Sequence, residues 1–153
     1  MTNNDILRRV RYILNDTKMM NIFSLAELEA TREQISDWLK KDDDPNFKPL
    51  NDMQMATFLN GLIESKRGKK EGEKPPIEKR LTNNIVFMKL KIAFNLQADD
   101  VLELMSLADF KISKHELSAF FRKKDHKHYR ECKDQILRNF LQGLQIKFRD
   151  AHQ

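Results

Sequence analysis

The chain has 153 residues, of which 40% are apolar and 33% charged, and a formal net charge of +5. That length and apolar content allow one ordinary domain or two small ones with a real core. The single Cys132 excludes an internal disulfide, no stretch approaches about 18 consecutive apolar residues, and Met1 to Asp5 lack the regions of a signal peptide, so no membrane partner and a cytoplasmic location are expected.

Only four glycines and four prolines occur, which favours helix over a turn-rich β fold. Helix one is predicted to begin after Thr2, a good N-cap, with Ile6, Leu7, Val10, Ile13 and Leu14 on one face. Helix two carries Met19, Met20, Ile22, Phe23, Leu25, Ala26 and Leu28. It is apolar over more than half its circumference and is expected to be the most buried helix. Helix three opens on the capping box Thr31-Arg32-Glu33-Gln34 and carries Ile35, Trp38 and Leu39. Asp42, Asp44 and Asn46 then begin like a calcium loop, but Phe47 stands where Gly is needed and Met53 where Glu is needed, so they read as a turn. Helix four holds Met53, Phe58, Leu59, Leu62 and Ile63, with Gly61 inside the stripe. Residues 66–80, with two Gly, two Pro and the basic run Lys66, Arg67, Lys69 and Lys70, read as a charged linker.

The same unit is then written again. Thr2-Asn3-Asn4 recurs as Thr82-Asn83-Asn84, and Asn15 as Asn95. After an insertion of two residues, Ser24-Leu25-Ala26 recurs as Ser106-Leu107-Ala108, Asp52 as Asp134, and Phe58-Leu59-Asn60-Gly61-Leu62 as Phe140-Leu141-Gln142-Gly143-Leu144. Val86, Phe87, Leu90, Ala93 and Phe94 repeat the first stripe, and Val101, Leu102, Leu104, Met105 and Leu107 the second. Ser113-Lys114-His115-Glu116 repeats the capping box. Such an ordered series marks a tandem duplication. A glycine inside a helix costs about 1 kcal/mol against alanine. Its presence in both copies points to close backbone packing, and the place where the repeats meet is the expected location. The fold expected is all-α: two tandem four-helix repeats, helix-turn-helix-like, packed with pseudo-twofold symmetry, with residues 1–65 as the first repeat, 66–80 as linker and 81–153 as the second repeat.

Thr-Asn-Asn, Ser-Leu-Ala, Glu116 to Lys123, Asp125-His126-Lys127-His128-Tyr129 and Asn139 to Leu144 together resemble the YehS-like family of bacterial proteins, over almost the whole chain. The resemblance implies a two-copy, all-α bacterial cytosolic protein whose domain has no known function and no catalytic residues to carry over.

The copies differ in charge. Residues 1–65 hold 8 basic and 11 acidic side chains, residues 66–80 hold 7 and 3, and residues 81–153 hold 13 and 9. Helix two, a short connector (Glu27 to Ala30, or Asp109 to Ile112) and capped helix three have the order of a helix-turn-helix. In that reading Arg32, Glu33, Lys40 and Lys41, or Lys114, His115, Arg122 and Lys123, face outward from helix three, and the basic ones meet phosphates. Any compact helical bundle contains two helices joined by a short turn, the usual turn glycine is replaced by Glu29 and Lys111, and Glu33 and Asp37 bring negative charge. Lys66, Arg67, Lys69 and Lys70 form a second electrostatic candidate, for which the plainer reading is solvation of a spacer.

His126, His128 and Cys132 form H-x-H-x₃-C, a pattern with zinc-ligand chemistry but no second cluster to close a site; a loop-to-helix junction is the simpler reading. No phosphate-binding, dinucleotide, serine-nucleophile or H-E-x-x-H motif appears, so neither enzymatic activity nor a cofactor is expected. The expectation is a binding protein: nucleic acid as the sharper version, a protein-interaction or regulatory scaffold module as the alternative.

Overall fold

A computed structural model describes residues 1–26, 28–68, 72 and 76–149. Among these are eight α-helices and no strand. The chain divides into two compact units, Met1–Leu81 and Thr82–Gln153. Unit one contains α1 (Asn3–Ile13), α2 (Asp16–Leu25), α3 (Arg32–Leu39) and α4 (Asp52–Arg67); unit two contains α5 (Asn83–Ala93), α6 (Ala98–Leu107), α7 (Lys114–Ala119) and α8 (Asp134–Arg149). Each unit is thus a four-helix repeat. No helix among the described residues is long and apolar enough to cross a membrane.

Local chemistry sets the helix starts. The Thr2 hydroxyl accepts from the Asp5 amide while the Asp5 carboxylate accepts from the Thr2 amide, both at 3.1 Å. Thr31 with Gln34 and Ser113 with Glu116 form the same reciprocal boxes, which satisfy amides that a helix start leaves unpaired. The two-residue insertion changes one cap. Asn15 caps α2, accepting from the Lys18 amide at 2.9 Å. Asn95, its match in sequence, instead turns the chain at φ 53°, a left-handed conformation Asn tolerates, and Gln97 takes the N-cap position of α6.

The predicted stripe of helix one is buried in full: Ile6, Leu7, Val10, Ile13 and Leu14 are at most 4% exposed. Helix two is not the most buried element. It buries Met19, Ile22 and Phe23, or Val101, Leu104 and Met105, whereas Leu25 and Leu107 are each 42% exposed. The larger buried face belongs to helix four, which packs against helices one and two in each unit.

The aromatic cores share a plan with a compensated exchange. In unit one the Phe23 ring on α2 lies 4.9 Å from Phe58 and 5.6 Å from Trp38. In unit two Met105 holds the Phe23 position and Phe87 that of Leu7, so the hub moves to α5: Phe87 lies 4.6 Å from Phe140 and 6.2 Å from Phe120. A Leu–Phe pair becomes a Phe–Met pair, which conserves core volume, the kind of exchange cores tolerate best.

The in-stripe glycines do mark close backbone packing, but inside each unit. A β-carbon on Gly61 would lie 2.7 Å from the Ile22 carbonyl oxygen of α2, and one on Gly143 only 2.1 Å from the Leu104 carbonyl oxygen of α6. Helix four runs so close to helix two that there is no room for a side chain there. The close approach expected where the repeats meet is thus one between two helices of the same unit.

Candidate functional site

The duplicated Asn-Asn pair clamps the segment between helices three and four. Asn4 is 2% exposed; its Nδ2 donates to the Trp38 and Lys48 carbonyls, both at 2.9 Å, and its Oδ1 accepts from the Leu50 amide at 3.0 Å. Asn84 does the same with Phe120 at 3.0 Å, Arg130 at 2.8 Å and the Cys132 amide at 2.8 Å. Beside it, Asn3 or Asn83 donates to the Leu50 or Cys132 carbonyl and to the Asp52 or Asp134 carboxylate. Three backbone groups, two of them in buried bonds, are satisfied by one amide. The Lys48 amide also donates to the Asp37 carbonyl at 3.3 Å, and the Arg130 amide to that of Ala119 at 3.1 Å. These tertiary bonds take up the carbonyls at the end of helix three, so α3 stops at Leu39 and α7 at Ala119.

The structure does not place the predicted interface on one helix. Arg122 and Lys123 are not on helix three; they open an irregular loop that runs to Lys133. Lys40 and Lys41 lie beyond α3 in the same way. Helix α7 has only six residues, about 9 Å long. Lys114 and His115 occupy its first turn and are exposed, with Lys114 Nζ 3.5 Å from the Asp99 carboxylate. The predicted residues therefore sit at opposite ends of a short helix. The left-handed turn residue between α6 and α7 is Asp109, at φ 57°, two positions before Lys111. Lys66 and Arg67 form the last turn of α4, which continues to a cap at Gly68, and so are helical instead of part of a flexible arm. Lys69 and Lys70 lie outside the described residues.

The loop is built alike in both units. Asp44 and His126 amides donate to Lys41 and Lys123 carbonyls at 3.0 and 2.9 Å, and Phe47 and Tyr129 amides to Asp44 and His126 carbonyls at 3.0 Å. Inside it the Asn46 amide donates to the Asp44 carboxylate at 2.8 Å, and the His128 amide to His126 Nδ1 at 3.0 Å. His126 thus does the work of an aspartate in a tight turn. Cys132 is 1% exposed at the position of Leu50, and burial, with Asp134 and Glu131 adding to it, pushes its thiol from 9.0 up to about 12. A thiol so placed is a core side chain, and no three His, Cys, Asp or Glu side chains gather as a metal site among the described residues.

The charges on this common frame differ: balanced in unit one, basic in unit two. In unit one, Arg8 pairs with Asp5 and with Asp42 at 3.6 Å while donating to the Lys40 carbonyl at 2.6 Å, and Lys40 pairs with Asp37 at 2.6 Å. Unit two has Ile85, Met88, Ala119, Lys124 and His126 where unit one has Asp5, Arg8, Asp37, Asp42 and Asp44. Four carboxylates have gone. Arg122, at the place of Lys40, has a buried Nε with no hydrogen-bond partner, and Ala119 stands at the place of Asp37, the partner of Lys40. Residues 122–133 hold six basic and two acidic side chains, against three and three for residues 40–51. Lys123, Lys124 and Lys127 are exposed; Arg130 is held by Glu116 at 3.5 Å and lies over the Phe120 ring. Lys124, Lys127 and the two histidine rings were absent from the predicted interface. The signal for them was the disappearance of Asp37, Asp42 and Asp44 between the copies.

Unit one carries an open cleft of about 430 Å³, floored by Met19, Met20 and Ile35 and rimmed by Arg11, Asp16 and Arg32. Arg11 is already paired with Asp16 at 3.0 Å.

The family model described as "Protein of unknown function (DUF1456)" matches the chain twice, over residues 3–68 and 83–150. The chain is 49% identical over 148 residues to "Uncharacterized protein YehS" of Escherichia coli (strain K12), an alignment that covers 94% of each. No solved structure matches it.

Proposed function

The chain belongs to the DUF1456 family, with one copy of the domain in each unit, and we infer from the chemistry of its second unit that it is a cytoplasmic nucleic-acid-binding protein without enzymatic activity. One observation carries the reading. A loop held in place by Asn84, together with the α5 and α7 positions matching Asp5 and Asp37, lacks four carboxylates of the sister copy, and the loop carries an arginine whose Nε has no partner. Among the described residues no carboxylate pairs with the Arg122 guanidinium, and a phosphate is the anion such a charge recruits. Lys123, Lys124 and Lys127 add exposed cations around it, the footprint that phosphate contact requires.

The test is fluorescence anisotropy with labelled 20-nucleotide strands and duplexes, titrated from 50 to 200 mM salt. Affinity is expected to fall steeply with salt, and Lys123→Glu with Lys124→Glu to weaken it more than tenfold. No binding at 50 mM salt, or binding indifferent to these changes, refutes the reading. The alternative, a protein-interaction module, has Met88 and Ile92 in its favour, one turn apart on α5 and 37% and 38% exposed. It becomes the better reading if nucleic acid does not bind.

A further inference from the structure

Resting on the nucleic-acid reading of this loop, we propose that the ligand is single-stranded: the cations of residues 122–133 hold its phosphates, and the rings of His126, His128 and Tyr129 receive unpaired bases.

Helix α7 is poorly equipped to read a duplex. It has less than two turns, and its first turn carries Glu116, tied to Ser113 and to Arg130. Lys114 is drawn toward Asp99. A recognition helix contacts base edges through those first residues. The free cations lie instead on an irregular loop, interleaved with rings in the order Arg122-Lys123-Lys124-Asp125-His126-Lys127-His128-Tyr129. Cations that track a backbone beside flat side chains are the chemistry of single-strand binding, because every unpaired base offers a π-face.

The rings are also pre-positioned. Backbone bonds fix the turn, and His128 donates its amide to His126 Nδ1, which sets one ring relative to the chain. The two imidazoles lie 5.6 Å apart and both residues are exposed. A side chain already held in its bound geometry loses less entropy on binding. Unit one makes the same turn with Asp44 and Asn46, so the fold has no need of imidazoles there. The rings accompany the cations and not the turn.

The experiment uses the full chain and three labelled probes at 100 mM salt: a mixed-sequence 20-nucleotide strand, its duplex, and an abasic strand with the same number of phosphates. The intact strand is expected to bind at least about tenfold tighter than either of the others, the scale of one to two stacked bases. His126→Asn with His128→Asn keeps turn-forming side chains and the formal charge while removing both rings. It is expected to abolish the preference and leave duplex and abasic binding unchanged. Tyr129→Phe, which keeps a ring and copies Phe47, is expected to retain the preference. Duplex or abasic strand binding as tightly as the intact strand overturns this inference and leaves the nucleic-acid reading standing. A failure of all three probes overturns both.

Discussion

Replacing Gly143 by alanine tests the packing of helix four on helix two. On an open helix the change stabilises by about 1 kcal/mol through helix propensity. At this site the new methyl would lie 2.1 Å from the Leu104 carbonyl oxygen and 2.7 Å from its carbonyl carbon. An ordinary carbon–oxygen approach is about 3.3 Å, so the helices must part by about 1 Å. The obstacle is backbone in a helix whose Leu104 is fully buried, and no rotamer change relieves it. Overpacking costs about 1–3 kcal/mol, with the upper end expected against backbone. The net effect is a loss of about 2 kcal/mol. With a urea m-value of about 2 kcal/mol/M, the midpoint falls by about 1 M. Far-UV circular dichroism would follow it. Gly61→Ala meets a milder clash, 2.7 Å, and should lose less; the single Trp38 lies in unit one and reports it by fluorescence. A midpoint for Gly143→Ala equal to or above that of the parent refutes the argument.

Asn84→Ala removes three backbone bonds at once, two of them buried, and is expected to cost about 3 kcal/mol in urea unfolding, with Asn4→Ala similar; a loss under about 1 kcal/mol would show that the clamp is dispensable. Cys132 is expected to resist iodoacetamide at pH 8 until urea unfolds the chain. In the unfolded chain its thiol ionises near 9.0, while burial holds it to about 12 in the folded chain, so the folded state binds more protons between these values. Stability from this group is full below pH 9 and is lost as pH rises toward 12, and Cys132→Ala should flatten that slope of the urea midpoint. Ala119→Asp gives Arg122 the partner that Asp37 gives Lys40. It should leave stability within about 1 kcal/mol and weaken nucleic-acid binding severalfold, and unchanged affinity would separate Arg122 from the interface.

The apolar stripe of helix one, the capping boxes at Thr31 and Ser113, and the repeat itself were legible in the residues because each depends on neighbours three or four positions away. Local pattern makes helix three too long for the opposite reason. Its end is set by Asn4 or Asn84, more than thirty residues away in sequence, binding a carbonyl that any local rule leaves to the next turn. Thr-Asn-Asn announced itself as a repeated motif, but repetition does not say what an amide side chain reaches.

By itself, therefore, the sequence determined the helical period, the helix starts and the duplication, since these are local or comparative properties. Only the tertiary structure decided which groups each Asn clamps, that Gly61 and Gly143 make room for helix two within their own units, and that Arg122 is left without its carboxylate. Those outcomes depend on distances between segments far apart in the chain. Two copies with matching apolar patterns share one frame, and what stands on that frame differs because a charge at the surface is free to change where a core side chain is not.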